Sequence, residues 1–247
     1  MANWQDPQTT GLGAASVSVP RAARDVGLRS YMLSVYNYMA SGVLLTGIVA
    51  MLFANSSLIN LIVNPATGQA TPLFWVTLFA PLGLVFWLSF GINRMSARTA
   101  QALFWVYAAL IGVQFSSLFL VYTGASIAQA FFATAAAFLG LSLYGYTTKR
   151  DLSGFGTFLI MGVVGLFVAM LLNIFLRSPG LNLAISAIGV LIFAGLTAYD
   201  TQKIKSLYFA VGGTDFHGKA VVMGALTLYL DFINMFLFLL RFMGNRN

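Results

Sequence analysis

The sequence predicts an all-α membrane protein with seven transmembrane helices. Its 247 residues are 59% hydrophobic and only 8% charged, and the mean hydropathy is +0.86. A soluble domain carries roughly 25% charged residues, because its surface must face water. The hydrophobic residues fall into seven runs, each close to the ~20 residues that a helix needs to cross a bilayer. The alternation typical of barrel strands is absent from the sequence, so an α-helical bundle is predicted.

The amino-terminal part of the chain differs from the rest. Residues 1–28 are polar, rich in small side chains and without the apolar core of a signal peptide, which predicts a flexible cytoplasmic tail. Residues 29–247 then form the transmembrane domain. Within it, residues 30–93 carry no charge, and a central stretch rich in Asn, Gly and Pro divides them into two helices.

Short polar turns separate the remaining helices. Residues 99–148 are again uncharged and divide at the turn 123–126, and the charged turn 149–151 precedes the fifth helix. Arg177 with a following Pro and Gly precedes the sixth helix, and a loop of Gly and polar residues precedes the seventh. The predicted helices are 31–54, 73–92, 99–122, 127–148, 154–176, 182–203 and 220–243.

The basic residues predict the orientation, because Lys and Arg are enriched in cytoplasmic loops. With seven spans, three of the 13 basic residues fall on one face: Arg177, Arg241 and Arg246. The other ten fall on the face of the amino terminus, which predicts a cytoplasmic amino terminus: Arg21, Arg24, Arg29, Arg94, Arg98, Lys149, Arg150, Lys203, Lys205 and Lys219. The carboxyl terminus lies outside if the last helix crosses fully, and inside if it is re-entrant. No basic patch with interleaved aromatics occurs, so nucleic acid is not a predicted partner.

Two aspartates within apolar runs are the strongest candidates for chemistry. The chain has no Cys, no Glu and one His, so each acid can be considered individually. Asp200 ends the sixth apolar run, and Asp231 has eleven uncharged residues before it and nine after it. An aspartate at the centre of a transmembrane helix costs roughly 2.5–3.5 kcal/mol on insertion scales, so such residues usually face a partner or a cavity. The alternative is a structural hydrogen bond between two helices.

The spacing of these aspartates predicts that they lie at one depth. They are 31 positions apart, and the midpoint falls at Asp215–Phe216, inside the predicted loop. Positions equidistant from the turn of an antiparallel hairpin lie side by side. Two adjacent carboxyl groups titrate as a pair: one shared proton would clamp the two helices, whereas two ionised groups would repel or hold Ca²⁺ through oxygen ligands.

Other polar residues are candidates for the same cavity, with hydrogen bonds between helices as an equal alternative. They are Asn37, Gln114, Tyr199 and Asn234. Arg94, after the second helix, is a candidate counter-ion for the aspartates, and the alternative is a position at the lipid headgroups.

Three segments resemble the Bax inhibitor family, also called TMBIM or YccA-like proteins. They are AYDTQKIK, LTLYLDFINMFLFLLRFMG and VYNYMASG, and the likeness covers about residues 28–244. The resemblance implies six helices surrounding a central C-terminal helix, in a bacterial inner membrane. It also implies a pH-sensitive calcium leak in which Asp200 and Asp231 are the pH sensor. An arginine near the end of helix two is associated with closure in the family, and Arg94 is the nearest match.

Three functions are compatible with these residues. The first is a cation (Ca²⁺) leak channel or exchanger gated by the aspartate pair, with Ca²⁺ and H⁺ as its ligands and no resident cofactor. The second is an intramembrane aspartyl protease, but Gly-x-Gly-Asp and Pro-Ala-Leu motifs are both missing, so an enzyme is not predicted. The third is a non-transporting regulator of another membrane protein, such as the membrane protease with which bacterial relatives are linked.

Overall fold

Seven long helices form the part of the chain that the structure describes. The computed structural model describes residues 21–246, with side chains described from residue 25. Within these residues, seven helices are long and apolar enough to cross a membrane, which confirms the predicted fold class. They are α1 (Arg21–Ala54), α2 (Pro72–Gly91), α3 (Ala97–Phe115), α4 (Gly124–Thr147), α5 (Ser153–Leu176), α6 (Pro179–Val211) and α7 (His217–Met243).

Two helices extend beyond their predicted ends. Helix α1 begins at Arg21, inside the segment predicted to be a tail, and the remainder of that tail lies outside the described residues. Helix α6 continues from the predicted end at residue 203 to Val211, and Ile204 and Val211 are both buried. The prediction was wrong at these ends because charged residues mark the edge of the hydrocarbon core of the bilayer. A helix can continue beyond that edge for as long as one of its faces packs against neighbouring helices.

Helix α3 is shorter than predicted. It ends at Phe115 and is followed by a four-residue helical turn, Leu118–Val121. Between the two, Ser116 and Ser117 each donate a side-chain hydrogen bond to the carbonyl three residues earlier, at 2.6 and 2.7 Å. Serine hydroxyls that bond to the nearby backbone offer it an alternative to the helical ladder, which explains the break at this point.

The C-terminal helix α7 is the most buried of the seven spans. It packs against α1, α3, α4 and α6, while α2 packs mainly on α3, and α5 on α6. An apolar helix that is buried nearly all round belongs in the interior of a bundle. The complete ring of six helices around α7, which the resemblance implies, stays a prediction.

Helix α7 runs the full length of the bundle. It is unbroken over 27 residues, about 40 Å at 1.5 Å per residue. Its start lies beside α1, where the His217 ring is 5.3 Å from that of Tyr31. Beyond its end, the Asn245 carbonyl accepts a hydrogen bond from the Thr123 N–H at 3.2 Å, and the Asn245 N–H donates to the Ser126 hydroxyl at 2.9 Å. The re-entrant alternative is therefore excluded, and the two ends of the domain lie at opposite ends of the bundle.

Candidate functional site

The structure brings Asp200 of α6 and Asp231 of α7 together. Both side chains are buried, with exposed fractions of 8% and 4%, and their carboxyl groups lie within hydrogen-bonding reach of each other. The two helices fold back on each other through a short connection in which Gly213 adopts a φ of +77°. This backbone conformation favours glycine. The hairpin therefore places the two acids at one depth, as their spacing predicts.

The aspartate pair is short of hydrogen-bond donors. Oδ2 of Asp231 is buried and has no hydrogen-bond partner within residues 25–246. An ionised carboxylate only accepts hydrogen bonds, so two ionised carboxylates cannot satisfy each other. The arrangement is stable when a proton or a cation lies between the groups. The chemistry open to this site is therefore the uptake and release of a proton or a cation.

Lys203 lies close enough to Asp200 for its positive charge to act on that carboxyl group. It lies three positions after Asp200 on α6, a spacing that places the two side chains on one face of the helix. Arg94 is exposed in a short 3-10 turn after α2. Its role as a counter-ion stays a prediction. Lys203 was not predicted as part of the site, because it was considered only among the basic residues that predict the orientation in the membrane.

The site offers two carboxylates for a metal ion. No cluster of three or more His, Cys, Asp or Glu side chains occurs in the described part of the chain. Ca²⁺ takes six to eight oxygen ligands, so water or backbone carbonyls would have to complete its shell here. A site with so few protein ligands is expected to bind Ca²⁺ weakly and to release it quickly.

The other four predicted cavity residues have separate surroundings. Asn37 is exposed on α1, and Gln114 of α3 is half-buried. The half-buried Tyr199 ring covers Gly156 of α5, leaving no room for a Cβ there. Asn234 donates its side-chain amide to the Leu230 carbonyl of its own helix at 2.8 Å. A common cavity for these residues and the aspartates stays a prediction.

A chain of hydroxyl groups reaches the residue after Asp200. The Tyr36 hydroxyl of α1 lies 2.6 Å from that of Ser142 of α4, which lies 3.0 Å from that of Thr201 of α6. Thr201 donates its only proton to the Thr197 carbonyl at 2.7 Å. Ser142 must therefore donate to Thr201, and Tyr36 to Ser142. This polar connection between three helices was not predicted, although a hydroxyl in each apolar run was a signal for it.

A second polar cluster fixes α7 close to Asp231. The Tyr229 hydroxyl is 2.6 Å from that of Thr46 of α1, and the Thr46 hydroxyl is also 2.9 Å from the Ala108 carbonyl of α3. Both side chains are buried. The cluster joins α1, α3 and α7 two positions before Asp231, so the position of that carboxyl is set by the packing of several helices.

Comparisons with known proteins agree with these features. The family model described as "Inhibitor of apoptosis-promoting Bax1" matches residues 28–247. The chain is 50% identical to "Uncharacterized protein RP147" of Rickettsia prowazekii, over 90% of this chain and 92% of the relative. It is 47% identical to "Inner membrane protein YbhL" of Escherichia coli, over 94% and 96% of the two chains. It is 38% identical to "Uncharacterized membrane protein SpyM3_0260" of Streptococcus pyogenes, over 90% and 96%.

Proposed function

Because this chain belongs to the Bax inhibitor family of multi-pass membrane proteins, we propose that it is a pH-sensitive Ca²⁺ leak channel or exchanger gated by Asp200 and Asp231. The observation that carries the proposal is the contact between two buried carboxyl groups with no donor for Oδ2 of Asp231. A site of this kind binds protons and cations at the expense of one another. Competition between the two for one pair of carboxylates is the basis of a pH-sensitive cation pathway.

Loss of the shared proton would drive the site open. Both carboxyls are buried, so an ion reaches them only after the packing around α6 and α7 changes. Two like charges about 4 Å apart repel by roughly 4 kcal/mol at an effective dielectric constant of about 20. Moving a two-state equilibrium from 1:99 to 99:1 takes about 5.5 kcal/mol. The repulsion energy of the ionised pair is therefore comparable to the free energy that would shift the bundle from a closed to an open state.

Asp200→Asn tests this proposal in liposomes that contain the purified protein and a Ca²⁺-sensitive dye. For the wild type we expect Ca²⁺ flux to rise as the pH rises, because loss of the shared proton releases the clamp and frees the carboxylates for Ca²⁺. For Asp200→Asn we expect flux that hardly changes with pH, since a neutral amide does not titrate.

Asp215→Asn is the matched control, because Asp215 is an exposed acid in the α6–α7 connection. It should keep the pH response of the wild type. Flux and pH response that are unchanged in Asp200→Asn would refute the gate. No Ca²⁺ flux from the wild type at any pH would refute the leak itself and favour a regulator of another membrane protein.

We also propose that the protein resides in a bacterial inner membrane with its amino terminus in the cytoplasm. The support is the excess of basic residues on the face that carries the amino terminus. Because the chain has no Cys, single-cysteine variants can be labelled without background. Asp215→Cys and Ala66→Cys place a thiol at exposed positions in connections at opposite ends of the bundle.

A membrane-impermeant maleimide added to intact spheroplasts should label Ala66→Cys and leave Asp215→Cys unmodified. Inverted vesicles should give the opposite pattern, because they present the cytoplasmic face. Labelling of Asp215→Cys in intact spheroplasts would mean that the orientation is reversed.

A further inference from the structure

A deep groove runs between α1 and α4. Its volume is about 690 Å³, and both helices and α7 contribute to its walls. Along α1 it extends from Arg29 to Leu44, about 22 Å at 1.5 Å per residue. One leaflet of the hydrocarbon core is about 15 Å thick, half of about 30 Å. The groove is thus long enough for a lipid acyl chain, and it lies where lipid is the solvent.

The polar groups of the groove lie in the half nearest the amino terminus. Arg29 and Tyr146 line that end, Tyr36 and Ser142 lie nearer the middle, and the walls beyond them are apolar. Arg29 is exposed, and among the described residues no acidic side chain lines the groove with it. Lys205 adds a second positive charge there, since its ammonium group donates to the Tyr146 carbonyl at 2.7 Å. An apolar groove with cations at one end is complementary to an anionic amphiphile.

We propose that this α1–α4 groove binds one anionic phospholipid from the leaflet on the amino-terminal side. Its phosphate contacts Arg29, and one acyl chain lies along the apolar walls as far as Phe232 of α7. Arginine suits the phosphate because its guanidinium donates two parallel hydrogen bonds to such an anion. Phe232 forms the inner wall, with its ring 5.7 Å from those of Phe131 and Phe138 of α4.

The bound lipid would touch the direct neighbour of Asp231 and the hydrogen-bond partner of the direct neighbour of Asp200. Phe232 follows Asp231 in the chain, and Ser142 is hydrogen-bonded to Thr201, which follows Asp200. A lipid that separates Tyr36 from Ser142, or moves Phe232, therefore acts on the surroundings of the pair. This consequence for Ca²⁺ flux rests on the proposed function, whereas lipid binding itself does not.

Native mass spectrometry of the delipidated full chain, titrated in detergent with dioleoylphosphatidylglycerol, measures the binding directly. We expect one molecule to bind more tightly than the rest, and dioleoylphosphatidylcholine to bind more weakly. Arg29→Gln should weaken the tight phosphatidylglycerol site about tenfold, the expected scale for losing a hydrogen bond to a charged group. Arg98→Gln is the matched control, since Arg98 is an exposed arginine at the same face and outside the groove.

Ala135→Phe tests the acyl-chain part of the site, because Ala135 lines the groove. The larger ring should occupy the path of the chain and abolish tight binding. Ala136→Phe, on the exposed side of the same helix, should leave it intact. Equal binding to the wild type, Arg29→Gln and Ala135→Phe would overturn the proposal, as would equal affinity for the two lipids. Asp200→Asn should keep the lipid, so failure of the gate and failure of the lipid site are distinguishable.

Discussion

Asp231→Asn is expected to hold the protein in its clamped form at every pH. The asparagine amide can donate to the neighbouring Asp200 carboxylate, which lies within hydrogen-bonding reach of position 231. A hydrogen bond to a charged group is worth about 1.5–3 kcal/mol, and every ~1.4 kcal/mol is a tenfold change in an equilibrium constant. Ca²⁺ flux into liposomes at mildly alkaline pH should therefore fall by about tenfold or more, to the level of the wild type at acidic pH.

Thermal unfolding of Asp231→Asn in detergent gives a second measurement. The proposed clamp requires the native pair to keep one shared proton at neutral pH, where the unfolded chain would have lost it. Stability falls with rising pH wherever the native state holds more protons, so the melting temperature of the wild type should decrease from acidic to mildly alkaline pH. Asp231→Asn should remove most of this decrease, because its clamp does not need a proton.

Asp231→Ala is the matched control for the donated hydrogen bond. It removes the same carboxyl but supplies no donor, and it leaves a gap at a position that is 4% exposed. We expect it to be less stable than both the wild type and Asp231→Asn. Equal melting temperatures for the Asn and Ala variants at mildly alkaline pH would show that no clamp forms between positions 200 and 231.

The sequence predicted that the two aspartates lie at one depth, because depth in an antiparallel helix hairpin depends only on the number of residues between each position and the turn. Asp200 lies 11 residues before the end of α6 at Val211, and Asp231 lies 14 residues after the start of α7 at His217, so the two acids are at similar distances from the connection although α6 does not end at residue 203. The helix ends were less predictable, since Lys203 and Lys205 extend over the rings of Tyr199 and Tyr146 while their helix continues. Long basic side chains can place their stems on apolar surface and their charge in water.

The surroundings of the aspartates could not be predicted from the sequence in the same way. The contact between Tyr36 and Ser142 joins residues 106 positions apart, and it depends on how α1 and α4 are rotated about their axes. Hydropathy carries little information on the rotation of these two helices, because the apolar residues of α1 and α4 are spread over all sides of each helix. Whether Asn37 and Tyr199 face one cavity depends on helix rotation in the same way, so that assignment stays a prediction.

Gly145→Ala is expected to destabilise the bundle by separating α4 from α6. A Cβ at Gly145 would collide with the carbonyl oxygen of Ala198 and lie 2.9 Å from its carbonyl carbon. These are backbone atoms, so no side-chain movement can make room. Small residues allow such close approach between membrane helices, and overpacking typically costs about 1–3 kcal/mol. At about 2–4 °C per kcal/mol for a chain of roughly this length, the melting temperature in detergent should fall by several degrees.

Gly140→Ala is the matched control, because it lies on the same helix and a Cβ there meets no atom within 4 Å. Its melting temperature should stay close to that of the wild type. The damage in Gly145→Ala should also reach the site, since Ser142 lies one turn before Gly145 and its hydrogen bond to Thr201 spans the same interface. The variant should therefore alter the pH response of Ca²⁺ flux as well. Equal melting temperatures for the two alanine variants would mean that α4 and α6 are not in close contact at Gly145.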